Sequence, residues 1–117
     1  MEFRFLHLYP DLMSLYGSYA NVSVLVRQLE LLGHSVHLET VAPGDTASLS
    51  GADFLFLGAG TERSQAAALE ALSSMAGDIR SAAGDGLPML FAGTAMELLG
   101  DSITDAAGTV RAGIGLA

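Results

Sequence analysis

The stretch Leu87-Pro88-Met89-Leu90-Phe91-Ala92-Gly93-Thr94-Ala95-Met96-Glu97-Leu98-Leu99-Gly100 constrains the fold more than any other. It reads as a short buried strand, a tight turn of small residues and the start of a helix. A strand that passes into a helix through a few small residues belongs to an open α/β sheet, and such junctions are where these sheets hold a nucleophile or a ligand. The tip of this turn is Gly93, which brings no side chain to the position.

The rest of the chain repeats the strand-to-helix theme. Phe3 to Tyr9 is apolar and aromatic apart from Arg4 and His7, as expected of a largely buried first strand that Pro10 ends. Asp11 to Ala20 reads as a loop, and Asn21 as the N-cap of a helix whose Val22, Leu25, Val26, Leu29 and Leu32 form one apolar stripe. Gly33 suits a left-handed helix end. Ser35 to Val41 alternates, with Val36, Leu38 and Thr40 on one face and His37 and Glu39 on the other, as in a half-exposed strand near a sheet edge. After a loop from Ala42 to Ala52, the run Asp53-Phe54-Leu55-Phe56-Leu57 ends in Gly58-Ala59-Gly60, the pattern of a central parallel strand followed by a glycine turn. One long helix is expected over Glu62 to Ala83, burying Leu69, Leu72, Ala76, Ile79 and Ala83, with Gly84-Asp85-Gly86 breaking it. The strand Pro88 to Ala92 and a short helix Thr94 to Leu99 come next. The tail, Ser102 to Asp105 and Thr109 to Leu116 around a turn at Ala106-Ala107-Gly108, reads as a hairpin.

This order predicts a single α/β domain over 1–117: a three-layer sandwich with a mainly parallel, flavodoxin-like sheet of strand order 2-1-3-4. The loops beyond the carboxyl ends of its strands, Pro10–Ala20, Gly58–Glu62 and Gly93–Ala95, are where a ligand is expected.

Composition narrows the function. Half of the 117 residues are apolar and 15% are charged, which argues for a packed core and against disorder. No apolar run approaches the roughly 18–20 residues of a membrane span. Met1-Glu2-Phe3-Arg4 lacks the basic and apolar regions of a signal peptide, so a cytoplasmic protein is expected. The absence of cysteine excludes disulfides, thiolate-bound metals and a Cys nucleophile. All five basic residues are Arg, scattered along a chain of net charge −8, which disfavours nucleic acid and anionic membranes. His34 and His37 fall on opposite faces of an extended chain and do not suit a shared metal, and His7 reads as a hydrogen-bonded core or sheet-end histidine. No metal or cofactor is implied.

Two turns carry the candidate chemistry. Gly58-Ala59-Gly60-Thr61-Glu62 exposes backbone N–H groups that can hold an anion or an oxyanion, and serves equally as a plain strand-to-helix turn; it matches neither the P-loop nor the full dinucleotide fingerprint. Gly93-Thr94-Ala95 has the shape of a nucleophile elbow. Thr94 offers a hydroxyl with no base near it in sequence, and is also a natural N-cap.

Together these stretches resemble the class I glutamine amidotransferase family, in its cobyric-acid-synthase-like branch, which includes the glutaminase subunit of lipid II isoglutaminyl synthase. Leu8-Tyr9-Pro10-Asp11-Leu12-Met13-Ser14-Leu15-Tyr16-Gly17, with Asn21 after it, is similar to the branch's opening signature. Phe56-Leu57-Gly58-Ala59-Gly60-Thr61-Glu62-Arg63-Ser64-Gln65 is similar to its glycine turn, and Pro88 to Gly100 to its elbow. Gly108 to Leu116 is similar to the segment that succeeds the elbow in that branch. The resemblance implies an elbow Cys that attacks the glutamine amide, a glycine turn that helps form the oxyanion hole, a downstream His as base, and ammonia passed to a synthetase partner.

The chain departs from that pattern where the chemistry would be. Gly93 stands at the Cys position, Thr94 and Ala95 replace two glycines, and Glu97 replaces Gln. Ala59 interrupts the triple glycine, and Ser18-Tyr19-Ala20 stand for Asp-Arg-Gly. Relative to the family the chain is short at its C-terminus, without the region of the His. A glycine cannot replace a thiolate. The expectation is a degenerate, non-catalytic domain with no catalytic residue, whose vestigial ligand-binding region is Gly58, Ala59, Gly60, Gly93 and Thr94, and which binds a partner or small ligand. The alternatives are a glutaminase-type subunit completed by another subunit, such as a Mur-ligase-like synthetase, and a shortened product with structural behaviour only. An uncovered apolar edge predicts a homodimer, with the hairpin at or near the interface.

Overall fold

Alternating apolar runs and amphipathic segments fold into the expected layers. The computed structural model describes residues 1–13, 17, 19–45, 48–104 and 106–116. Strand β1 (Glu2–Leu8) leads through helix α1 (Tyr19–Leu31) to β2 (Ser35–Val41), and then to β3 (Phe54–Leu57). Helices α2 (Glu62–Ser73) and α3 (Ala76–Gly84) precede β4 (Met89–Phe91). An elbow helix of 3₁₀ type (Gly93–Leu99) leads to the strands β5 (Ser102–Thr104) and β6 (Val110–Ala112). The main sheet is parallel and ordered β2-β1-β3-β4, as expected from the sequence. The hairpin β5–β6 forms a separate antiparallel ribbon.

The two sheet faces bury different residue sets. On one face Phe5, Val22 and Phe56 are buried, with Phe3, Val26, Leu29, Val36 and Phe54 packed around them beneath α1. On the other, Leu6, Leu8, Leu55 and Leu57 meet Leu69, Leu72 and Ile79 of the α2–α3 layer and Leu98 of the elbow helix. β1 and β3 are the inner strands, so their side chains are shielded on both faces, the usual situation of a parallel sheet.

Several local expectations are corrected. α1 begins at Tyr19, so Asn21 lies inside the helix rather than capping it. Its stripe is only partly covered: Val22 is buried, whereas Leu25 is exposed and so is Leu32, which lies one residue past the helix end. The long helix is two helices. Ser73 Oγ and Ser74 Oγ donate to the carbonyls of Leu69 and Ala71, and hydroxyls bonded back in this way compete with helix continuation. Ala82, rather than Ala83, faces the core, and Ala76 is half-buried. Gly33 does take the left-handed conformation, at φ 91°. Parts of the expected first loop (Ser14, Leu15, Tyr16, Ser18) and Asp105 of the tail lie outside the described residues.

His7 is buried beside Phe56, with ring centroids 5.0 Å apart, but its Nε2 has no hydrogen-bond partner, contrary to the satisfied histidine expected. Burial pushes its pKa below the usual histidine value. The folded state therefore keeps the ring neutral over a range in which the unfolded chain, near 6.5, takes up a proton. Stability contributed by the neutral ring is complete above about pH 6.5 and falls as the pH drops below it. Urea midpoints at pH 7.5 and 5 are expected to fall further for the native chain than for His7→Leu; equal falls would refute this.

Candidate functional site

The end of β1 sets the first wall of the site. Tyr9 adopts φ 50°, an uncommon conformation for a side-chain-bearing residue. It is held there by burial, by its N–H donating to the Val41 carbonyl, and by its hydroxyl 3.7 Å from Met75 Sδ. Burial also raises the pKa of its phenol. The Tyr9 carbonyl then accepts from the Leu12 and Met13 N–H groups, folding the chain back over the sheet end.

That fold-back meets the glycine turn. Gly58 and Gly60 are buried and Ala59 is half-buried. A Cβ on Gly60 would press on Met13 Sδ and stand 3.1 Å from the Leu12 carbonyl oxygen, so a larger residue there would require Met13 to move and the fold-back to give way. Thr61 caps α2, its hydroxyl accepting from the Ser64 N–H at 3.2 Å.

The elbow forms the third wall. The Ala92 N–H donates to the Leu57 carbonyl, so the turn starts tied to the end of β3. Gly93 has φ 57°, the left-handed backbone of a sharp strand-to-helix turn. Thr94 does not cap the elbow helix; Ala92 occupies the cap position and no side chain bonds there. Instead the Thr94 hydroxyl accepts from the Gly60 N–H at 2.9 Å and donates to the Gly60 carbonyl at 2.8 Å. Gln65, on the buried face of α2, donates through Nε2 to the Thr94 carbonyl at 2.8 Å and to Glu97 Oε2 at 2.9 Å.

The structure thus gathers all five singled-out residues, Gly58, Ala59, Gly60, Gly93 and Thr94, at the carboxyl ends of β3 and β4, as expected from the sequence. It also shows what their arrangement offers. The Gly60 amide is spent on a side chain of the protein, and the Thr94 hydroxyl has both a donor and an acceptor partner. The tip of the elbow, being glycine, carries no titratable group. Gln65 appears in the sequence only as the last residue of the glycine-turn stretch. Its spacing four residues before Leu69 and seven before Leu72 puts it on the buried face of a helix, a signal that a polar side chain there needs a partner.

Other polar groups lie elsewhere. His34 precedes β2 and packs edge-on against Phe3, and no three His, Asp or Glu side chains cluster as metal ligands among the described residues. An open groove of about 940 Å³ runs at the opposite end of the sheet, between Phe3, Leu29, Leu49, Asp53, Asp85 and Pro88. It is the gap between α1, the 48–53 loop and the end of α3, and neither the 58–60 turn nor the elbow reaches it. Beside it, Arg4 holds that loop to β2 by bonding Glu39 and the Ser48 and Ser50 carbonyls. No helix among the described residues is long and apolar enough to cross a membrane.

A parallel sheet of order 2-1-3-4, a glycine turn and an elbow that meet at its carboxyl edge define an elbow-type α/β domain of the flavodoxin-like class. The particular family is given by the sequence match: residues 4–117 fit the CobB/CobQ-like glutamine amidotransferase domain, and the chain belongs to that family. It is also 25% identical over 115 residues to the GatD subunit of lipid II isoglutaminyl synthase (glutamine-hydrolyzing) from Staphylococcus aureus, a match covering 98% of this chain and 47% of that protein. The chain therefore spans about half the length of this curated relative.

Proposed function

We propose that this chain is a non-catalytic amidotransferase domain that keeps the family scaffold and acts through binding a partner protein. The observation that carries the reading is the state of the elbow. Its tip is a glycine, and the hydroxyl next to it is tied to Gly60. Amide hydrolysis by covalent catalysis needs a nucleophile that a base can activate, and neither Gly93 nor a hydroxyl with both bonds engaged supplies one. Without it, the most an oxyanion site retains is a small residual rate over water. The region Gly58, Ala59, Gly60, Gly93 and Thr94 is then a structural remnant that shapes the carboxyl edge of the sheet.

The partner is of the ligase-type synthetase class or a second copy of this chain, within the cytoplasm. Leu90 on the outer strand β4 and Val110 on the hairpin are exposed apolar side chains that such a partner would cover. A second reading, a glutaminase subunit completed by another subunit, draws on the similarity to the GatD subunit of a glutamine-hydrolysing enzyme.

One assay separates the two. Glutamate release from glutamine is measured with the protein alone and with a synthetase subunit added. The non-catalytic reading expects no release above the blank in either case. Turnover that needs both proteins would establish the second reading, and turnover by the chain alone would overturn the first.

A further inference from the structure

Two of the departures from the family pattern touch each other. A Cβ built on Gly93 would stand 2.8 Å from Ala59 Cβ and 3.8 Å from its Cα. Carbon atoms pack at about 3.5–4.0 Å, so the first of these distances is a collision. The atom in the way is a methyl fixed directly to the backbone, with no rotamer that moves it aside. The turn that carries it cannot retreat either. Its next residue, Gly60, is bonded at both its N–H and its carbonyl to the Thr94 hydroxyl and lies against Leu12 and Met13.

We propose that Ala59 is the positioning residue that keeps the elbow tip empty: positions 59 and 93 form one packing unit with room for a single methyl-sized group, and this chain carries that group at 59. The inference rests on the reading of Gly93 as the emptied tip of the elbow. It has a consequence that reading lacks. A side chain cannot be regained at 93 by one substitution, because the methyl at 59 must be lost as well.

Gly93 resists substitution for a second reason, its positive φ, and the test has to separate the two. Asn is among the residues most at ease in the left-handed region, so Gly93→Asn isolates the collision from the backbone preference. The native chain, Gly93→Asn, Ala59→Gly and the double variant are compared by thermal unfolding. Gly93→Asn is expected to lower the Tm by about 10 °C, and the double variant to recover at least half of that loss. A double variant melting at or below Gly93→Asn overturns the proposal. If Gly93→Asn does not fold, a folded double variant supports the proposal, and failure of both overturns it. Glutaminase activity in the native chain would sink the non-catalytic reading and leave this cycle standing, whereas an additive cycle would sink only the packing claim.

Discussion

Replacing Phe56 by Ala is expected to remove about 3–5 kcal/mol of stability, a large share of the roughly 5–15 kcal/mol typical of a domain. Phe56 is fully buried in an inner strand, against the His7 ring and beside Phe5 and Val22. Those three side chains, Phe5, Val22 and Phe56, are the buried centre of the whole α1 layer, and Val22 is the one buried residue of α1. The loss should therefore be uneven. Amide hydrogens of α1 are expected to lose exchange protection before those of α2, which is anchored independently through Ala68, Leu69 and Leu72 on the other face. Leu72→Ala serves as the comparison, with a similar cost and α1 left protected. Equal loss of protection in α1 and α2 with Phe56→Ala would show that the two layers unfold as one unit.

Thr94→Val is expected to cost about 2–4 kcal/mol and lower the Tm by roughly 10–20 °C, although it barely changes the side chain's volume. The hydroxyl serves as both donor and acceptor to Gly60, which is buried. Its removal takes from the Gly60 N–H and C=O the partner they bond here, and a buried polar group left unsatisfied costs about 1–3 kcal/mol. Thr94→Ser keeps the hydroxyl and is expected to lose less than half as much. Thermal unfolding of the three proteins checks this; a valine variant within about 0.5 kcal/mol of the native chain would mean that Gly60 finds other partners.

The fold was legible because its signals are local and repeated. The apolar run of β3, the glycine turn after it, the alternation of β2 and the strand-turn-helix of β4 and its elbow each state their own conformation, and the rules of parallel connection then leave few topologies. What the sequence did not reveal depends on groups that meet across the fold. Thr94 looks like a cap by local rules, yet Gly60, 34 residues away in sequence, offers it a donor and an acceptor at once. Ser73 and Ser74 contain no Gly or Pro signal, and they end α2 by bonding backward. The exposure of Leu25, and of Leu32 just past the helix end, depends on which neighbours the fold supplies, which no periodicity encodes. His7 was expected to be satisfied because buried polar groups nearly always are, yet its Nε2 is unpartnered and its ring lies against Phe56. At the site, the identity of Gly93 could be read directly, whereas the proximity of Ala59 could not.

The strand order also sets a timetable for the newly made chain. β1 leaves the ribosome before either strand it pairs with, yet it ends as an inner strand, with Phe5 beside Leu38 on one side and Phe54 on the other. At synthesis rates of about 5–20 residues per second, several seconds pass before its second neighbour emerges. Through that interval Phe5, Leu6 and Leu8 have at most β2 beside them. The apolar strand that later forms the centre of the sheet is thus, for a time, exposed and sticky, and a natural client for a chaperone at the exit tunnel.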